Sequence, residues 1–195
     1  FAQLAQKQNP DVLFITCSDS RIDPCLVTQT LPGDLFICRN AGNIVPPHSL
    51  LTGGITASIE FAMNVLNVLN VRHVVVCGHT DCGAMKGAMD PDSIKHLQHV
   101  SNWLSNTMAA RAKIMARHGD CSSAHLLEMT EENVVLQLKH LETHPAIAAK
   151  IATRDVILHG WVYDIEHGQI HCYESGNDSW VPVSEHYDHI LEMKT

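Results

Sequence analysis

The chain has 195 residues, 45% of them hydrophobic and 17% charged, with a formal charge of −8 from 13 Lys+Arg against 21 Asp+Glu. That size and apolar content suit a single domain over residues 1–195 with a core of its own, and 13 scattered cations exclude nucleic acid or an anionic membrane surface as the main partner. No apolar run reaches the roughly 18 to 20 residues of a spanning helix, and the seven Cys stand singly, several inside apolar runs, which is the usage of reduced thiols rather than of a disulfide framework.

Residues Phe1 to Gln8 carry apolar side chains at 1, 4 and 5 and are expected to end a helix before Asn9-Pro10. Val12 to Thr16 is the first predicted strand, rich in branched and aromatic residues. Pro24 suits the first turn of a short helix through Thr30, and Pro32-Gly33 is a turn signal. Asp34 to Asn40 forms a second strand, followed by a loop from Ala41 to His48. Thr52 to Asn70 lacks Pro and is apolar on most faces, so a helix there is expected to be covered on both sides, by the sheet or by a second subunit.

Arg72 to Gly78 is a third strand, and Ala84 to Met89 begins a helix that Pro91 breaks. Ser93 to Thr153 is helical in pattern, with breaks at Gly119 to Ser123 and at His144-Pro145. Asp155 to Tyr163 is a fourth strand, the turn at His167-Gly168 folds Gln169 to Tyr173 back on it as a hairpin, and Ser184 to Met193 closes the chain as a helix. Strands alternating with helices imply an α/β fold: a mainly parallel four-stranded sheet with an antiparallel edge strand, flanked by helices. Ligands of such sheets bind beyond the carboxyl ends of strands.

Two predicted strands run out into metal-ligand chemistry. The first opens into Cys17-Ser18-Asp19-Ser20-Arg21, the third into Cys77-Gly78-His79-Thr80-Asp81-Cys82-Gly83. Cys17, His79 and Cys82 supply two thiolates and one imidazole, the ligand count of a catalytic zinc site with one open position. Arg21 can hold the Asp19 carboxylate through two parallel hydrogen bonds, or it can pair with Asp23 at the surface. Cys77 is two residues from His79 but lies inside the apolar run, and is expected in the core; Cys25, Cys38, Cys121 and Cys172 are expected to be structural or surface thiols.

These residues resemble the signatures of the β class of carbonic anhydrases, Cys-x-Asp-x-Arg and His-x-x-Cys-Gly. The resemblance extends in order through Pro32-Gly33-Asp34-Leu35-Phe36, Arg39-Asn40, Asn43-Ile44-Val45-Pro46-Pro47, Ser58-Ile59-Glu60-Phe61 and His159-Gly160-Trp161-Val162-Tyr163. It implies zinc, one Zn2+ per chain, on Cys17, His79 and Cys82, an Asp19–Arg21 catalytic dyad, and reversible hydration of CO2 to bicarbonate and a proton. It also implies self-association as a homodimer or a dimer of dimers. Two thiolates donate more charge than imidazoles, so a weaker Lewis acid is expected than in a three-histidine site.

Gln8, Phe36 and Phe61 match the positions at which the plant-like branch lines its substrate cleft with Gln, Phe and Tyr, with Phe61 lacking the Tyr hydroxyl. Gly83 can offer its backbone N–H to bicarbonate. The inhibitory bicarbonate site of the regulated bacterial branch uses Trp, Arg and Tyr; Phe14, Arg39 and Tyr163 stand there, and without the indole donor that site is not expected. Hydrolysis of CS2 or COS on the same scaffold, or a zinc-stabilised binding module without turnover, are the competing readings. The thiols point to a cytoplasmic location, with an N-terminal arm or targeting segment expected ahead of Phe1.

Overall fold

A computed structural model describes residues 4–49, 53–65 and 71–192. In chain order the elements are β1 (Val12–Cys17), α1 (Pro24–Thr28), β2 (Leu35–Asn40), α2 (Gly54–Asn64) and β3 (His73–His79). They continue with α3 (Gly83–Met89), α4 (Pro91–Ile94), α5 (Gln98–Leu104), α6 (Met108–His118), α7 (Leu126–Glu142), α8 (Pro145–Ala152), β4 (Ile157–Asp164), β5 (Gln169–Glu174), β6 (Ser179–Pro182) and α9 (Val183–Glu192). Short 3-10 turns precede α6 and α7.

The strands form one sheet in the order β2-β1-β3-β4-β5-β6, the first four parallel and the last two antiparallel. The expected four parallel strands and antiparallel edge are present, and the edge runs one strand further: Ser179–Pro182 pairs with β5. Its four residues offer too short an alternation to read as a strand beforehand.

Alternation along β1 sorts its side chains to two faces, as a period of two requires. Leu13 and Ile15 enter the main core with Val74, Val76, Val134, Leu141 and Ile147 beneath α7 and α8, whereas Phe14 joins Val75 and Cys77 on the opposite face against Trp161 and Tyr163. A third cluster, holding Cys17 and Cys82 with Met85, Ile114 and Met129, lies beyond the strand ends under α3, α6 and α7.

Two expected helices fall partly outside the described residues. Of the first, residues 1–3 lie outside them, and Leu4 to Gln6 form a turn in place of the expected helix end, with Leu4 exposed. The helix expected over Thr52 to Asn70 spans Gly54–Asn64, and Thr52 and residues 66–70 lie outside the described residues. It buries Ile59, Ala62 and Met63, while Phe61 is 41% exposed and Val65, just past its end, is 64% exposed.

Strand order explains where a site can form. The chain passes from β1 to β2 on one side and then to β3 on the other, so the crevice between the carboxyl ends of β1 and β3 is the point at which the order reverses. Cys17 ends β1 and His79 ends β3.

Candidate metal centre

Cys17, His79 and Cys82 converge in that crevice, all three buried, with their donor atoms within 4.8 Å of one another. Each is delivered by a rigid feature. Cys17 is the last residue of β1, His79 the last of β3, and Cys82 the residue that caps the start of α3. Asp81, with φ of 60°, makes the left-handed step that turns the chain from His79 back to Cys82; Asp tolerates this conformation better than most residues.

The imidazole orientation is set by its neighbour. His79 Nδ1 bonds the Thr80 carbonyl at 2.8 Å, and Thr80 is itself fixed by its backbone N–H donating to Tyr163 O at 3.0 Å. A carbonyl only accepts, so Nδ1 carries the proton and Nε2 presents its lone pair. Nε2 is buried and has no hydrogen-bond partner. A fully buried, unpartnered nitrogen costs about 1–3 kcal/mol, and here it faces two sulfurs. An orphaned imidazole nitrogen with two thiols is the donor set that fits zinc.

The contact between the two sulfurs moves their acidities apart. The hydrogen bond from Cys82 holds Cys17 well below the ordinary thiol range, with a further contribution from the Gly42 N–H, which reaches Cys17 Sγ at 3.4 Å. The same contact, reinforced by burial, pushes Cys82 upward. Both need to be thiolates to hold a metal, so metal binding must release a proton from this pair.

Beside the cluster, Arg21 clamps Asp19. Nε donates to Oδ1 at 2.9 Å, Nη2 to Oδ2 at 2.8 Å, and the Arg21 backbone N–H also reaches Oδ1 at 3.0 Å. These bonds hold the Asp19 carboxyl well below the usual carboxylate range, so it is ionised at neutral pH. Asp23 takes a different task, accepting the Leu26 N–H as the cap of α1. The second partner of Arg21 is Asp81, at 3.1 Å from Nη1, and Lys86 holds the other oxygen of Asp81.

Arg39 is spent on backbone, donating to the carbonyls of Cys17 at 3.1 Å and Asp19 at 2.7 Å. It thereby fixes the strand end that carries both residues. Phe14 and Tyr163 sit on the opposite sheet face, in the Cys77 cluster. Cys77 itself is core: burial pushes its thiol up to about 12 and leaves it a poor ligand.

Sequence reasoning missed the support beneath the loop from Ala41 to His48. Asn133 donates to Gly42 O at 3.0 Å, Gln137 to Asn133 Oδ1 at 2.8 Å, and the Val45 N–H to Gln137 Oε1 at 2.9 Å. Two amides at i and i+4, among the apolar Met129, Val134 and Leu141 of one helix, were the available signal. Gly42, with φ of +82°, must be small, since a Cβ there would lie 2.9 Å from Met85 and 3.1 Å from Ala84.

The softer cleft residues divide. Gly83 is the first residue of α3, beside Cys82, with open space where a side chain would stand. Phe36 and Phe61 stack on each other, centroids 6.2 Å apart; Phe36 packs against the main core, and neither joins the cysteine cluster. Gln8 is exposed on the segment leading to β1.

The carbonic anhydrase family model matches residues 12–170. A carbonic anhydrase of Synechocystis is 44% identical over 89% of this chain and 63% of its own length, and one of Pseudomonas aeruginosa is 44% identical over 95% and 83%. Among solved structures, the β-carbonic anhydrase CcaA superposes with a TM-score of 0.88 at 42% identity, covering 93% of this chain and 88% of that one. The chain thus spans just under two thirds of the Synechocystis relative.

Proposed function

From the premise that the chain belongs to the β-carbonic anhydrase family, we propose that it catalyses the reversible hydration of CO2 to bicarbonate and a proton, with one zinc ion held by Cys17, His79 and Cys82. The observation that carries this reading is the buried, partnerless Nε2 of His79 facing two buried sulfurs at the strand-order reversal. Bound there, zinc supplies the Lewis acidity that turns water into a nucleophile near neutral pH.

The chain's own residues do the rest. Asp19, ionised and gripped at both oxygens by Arg21, accepts a hydrogen bond from the reacting water and aims its lone pair at the carbon of CO2. The same grip makes Asp19 too weak a base to keep a proton at neutral pH, so the proton that hydration releases passes on to solvent or buffer. Gly83 offers its N–H to the bicarbonate oxygens from the open side of Cys82.

Phe36 and Phe61 are assigned as an apolar wall for CO2, and Gln8 as a polar contact, in a cleft that self-association completes. The uncovered apolar side chains support that association: Phe61 on α2, Val65 just past it and Ile37 on β2 are 41%, 64% and 38% exposed. A homodimer, or a dimer of dimers, covers them. All seven cysteines are free, which supports a reducing, cytoplasmic setting; among the described residues no helix is long and apolar enough to cross a membrane.

The test is metal content measured together with stopped-flow CO2 hydration, with CS2 and COS as comparison substrates. One zinc per chain with CO2 hydration is the expected result. Full zinc without hydration of CO2 overturns the assignment, and turnover confined to CS2 or COS moves the reaction class.

A further inference from the structure

A second cluster of metal-binding side chains lies outside this centre, at the corner between α6 and α7. His118 is the last residue of α6, Gly119 reverses the chain at φ +79°, and the 3-10 turn Ser123–His125 leads directly into α7, whose first turn carries Glu128. The Asp120 side chain pins this corner by accepting the Ser122 N–H at 2.8 Å. As a result His118 Nε2 comes within 2.6 Å of Glu128 Oε2, and the His125 ring stacks on His118 with centroids 3.9 Å apart and planes 11° from parallel. One donor atom from each of the three residues lies within 4.8 Å of the others.

We propose that His118, His125 and Glu128 form a second divalent-metal site, for an imidazole-preferring ion of the zinc type, that clips α6 to α7. Two imidazoles with one carboxylate select zinc and its late transition-metal neighbours over calcium or magnesium, which favour all-oxygen shells. The carboxylate is already committed in the right sense. Arg117 takes Glu128 Oε1 at 2.8 Å, leaving Oε2 toward the histidines, and the charge of Arg117 is met by Glu132 at 2.6 Å. Asp120 Oδ1 lies 3.5 Å from His125 Nε2 and supplies an outer carboxylate, or a fourth ligand after a small side-chain movement.

The rearrangement required is local. Ligand atoms about 2.0–2.1 Å from a tetrahedral ion are about 3.3 Å apart, so the contact between His118 and Glu128 opens by less than 1 Å. The two rings tilt out of parallel so that both lone pairs meet. The side chains of His118, His125 and Glu128 are 32%, 23% and 30% exposed, which admits an ion from solvent and leaves the rings room to tilt. Neither Cys17, His79 nor Cys82 takes part, so the clip stands independently of the reaction assigned to the first centre.

The experiment is titration of the zinc-loaded enzyme, freed of excess metal by gel filtration, with Zn2+ at neutral pH. Bound metal is counted by equilibrium dialysis and atomic emission, and the thermal midpoint is read at each point. The expected result is a second equivalent per chain at micromolar free zinc, accompanied by a rise in the midpoint. That equivalent is lost in His118→Ala and His125→Ala, and its affinity falls about tenfold or more in Glu128→Gln. The first equivalent and the CO2 hydration rate stay as in the parent. Binding of a single equivalent by the parent overturns the proposal, and so does a second equivalent that survives in the His118→Ala/His125→Ala double variant, since other histidines would then hold it.

Discussion

Asp19 Oδ2 and His79 Nε2 lie 3.8 Å apart without a hydrogen bond between them. Each is turned to a different purpose: the carboxylate oxygen accepts from Arg21 Nη2 at 2.8 Å, and the imidazole nitrogen is left to the two sulfurs. The pair therefore sets the imidazole proposed to hold zinc beside a fixed hydrogen-bond acceptor, close but unconnected. Arg21 maintains this separation, and Asp81, bonded to both Arg21 and Lys86, keeps Arg21 in place.

Asp19→Asn should retain one zinc per chain, because none of the three ligands changes, while CO2 hydration falls by about a hundredfold or more through loss of an anionic acceptor. Stopped-flow rates beside metal analysis check this. Parental turnover in that variant would remove Asp19 from the reaction.

Replacing a ligand acts on the metal first. Cys82→Ser and His79→Ala are each expected to lower bound zinc about tenfold or more and to abolish hydration, with the far-ultraviolet circular dichroism retained because the sheet hydrogen bonds are unaffected. Chelation of the parent enzyme should abolish activity reversibly, with zinc restoring it. Activity that survives complete removal of zinc would contradict the assignment.

Much of the architecture was legible because the patterns were strong. The runs at Val12 and Arg72 each became a buried strand and the run at Asp155 a half-buried one, and the two motifs were written at the ends of the two adjacent strands where the order reverses. What stayed hidden depends on tertiary contact. Ser179–Pro182 becomes a strand only because β5 offers it a free edge. Asn133 and Gln137 become part of the centre's support only once α7 crosses the loop that begins at Ala41. The choice of Arg21 for Asp19 over Asp23 follows from the cap of α1, which occupies Asp23.

Gly78, between Cys77 and His79, faces α7. A Cβ there would stand 2.9 Å from Val134 Cγ2 and 3.1 Å from Thr130 Cγ2, so Gly78→Ala forces these side chains or the backbone to shift. Overpacking of this kind costs about 1–3 kcal/mol, and it displaces His79 with it. Chemical denaturation should show the loss in stability, and zinc affinity should weaken in the same protein. A variant as stable as the parent would mean that Val134 and Thr130 simply rotate away.

Partly buried histidines are expected to contribute to the acid limit of stability. His159 bonds His73 at 3.0 Å and Tyr187 at 2.9 Å. Burial, followed by the charges of His73 and His186, lowers its pKa to about 4. In the unfolded chain the same ring titrates near 6.5, so between these values the unfolded state binds a proton that the native state refuses. The contribution is complete above about pH 6.5 and is lost progressively as pH falls toward 4, on the order of 3 kcal/mol in all. His73, His140 and His144 are also lowered, chiefly by burial, and act in the same direction. Zinc release in acid overlaps this window, so the measurement is made on metal-free protein: denaturant midpoints at successive pH values for the parent and for His159→Gln. The parent should lose stability more steeply across the window than the variant, because Gln keeps a hydrogen-bonding side chain but takes up no proton. Parallel curves would assign the acid limit to other groups.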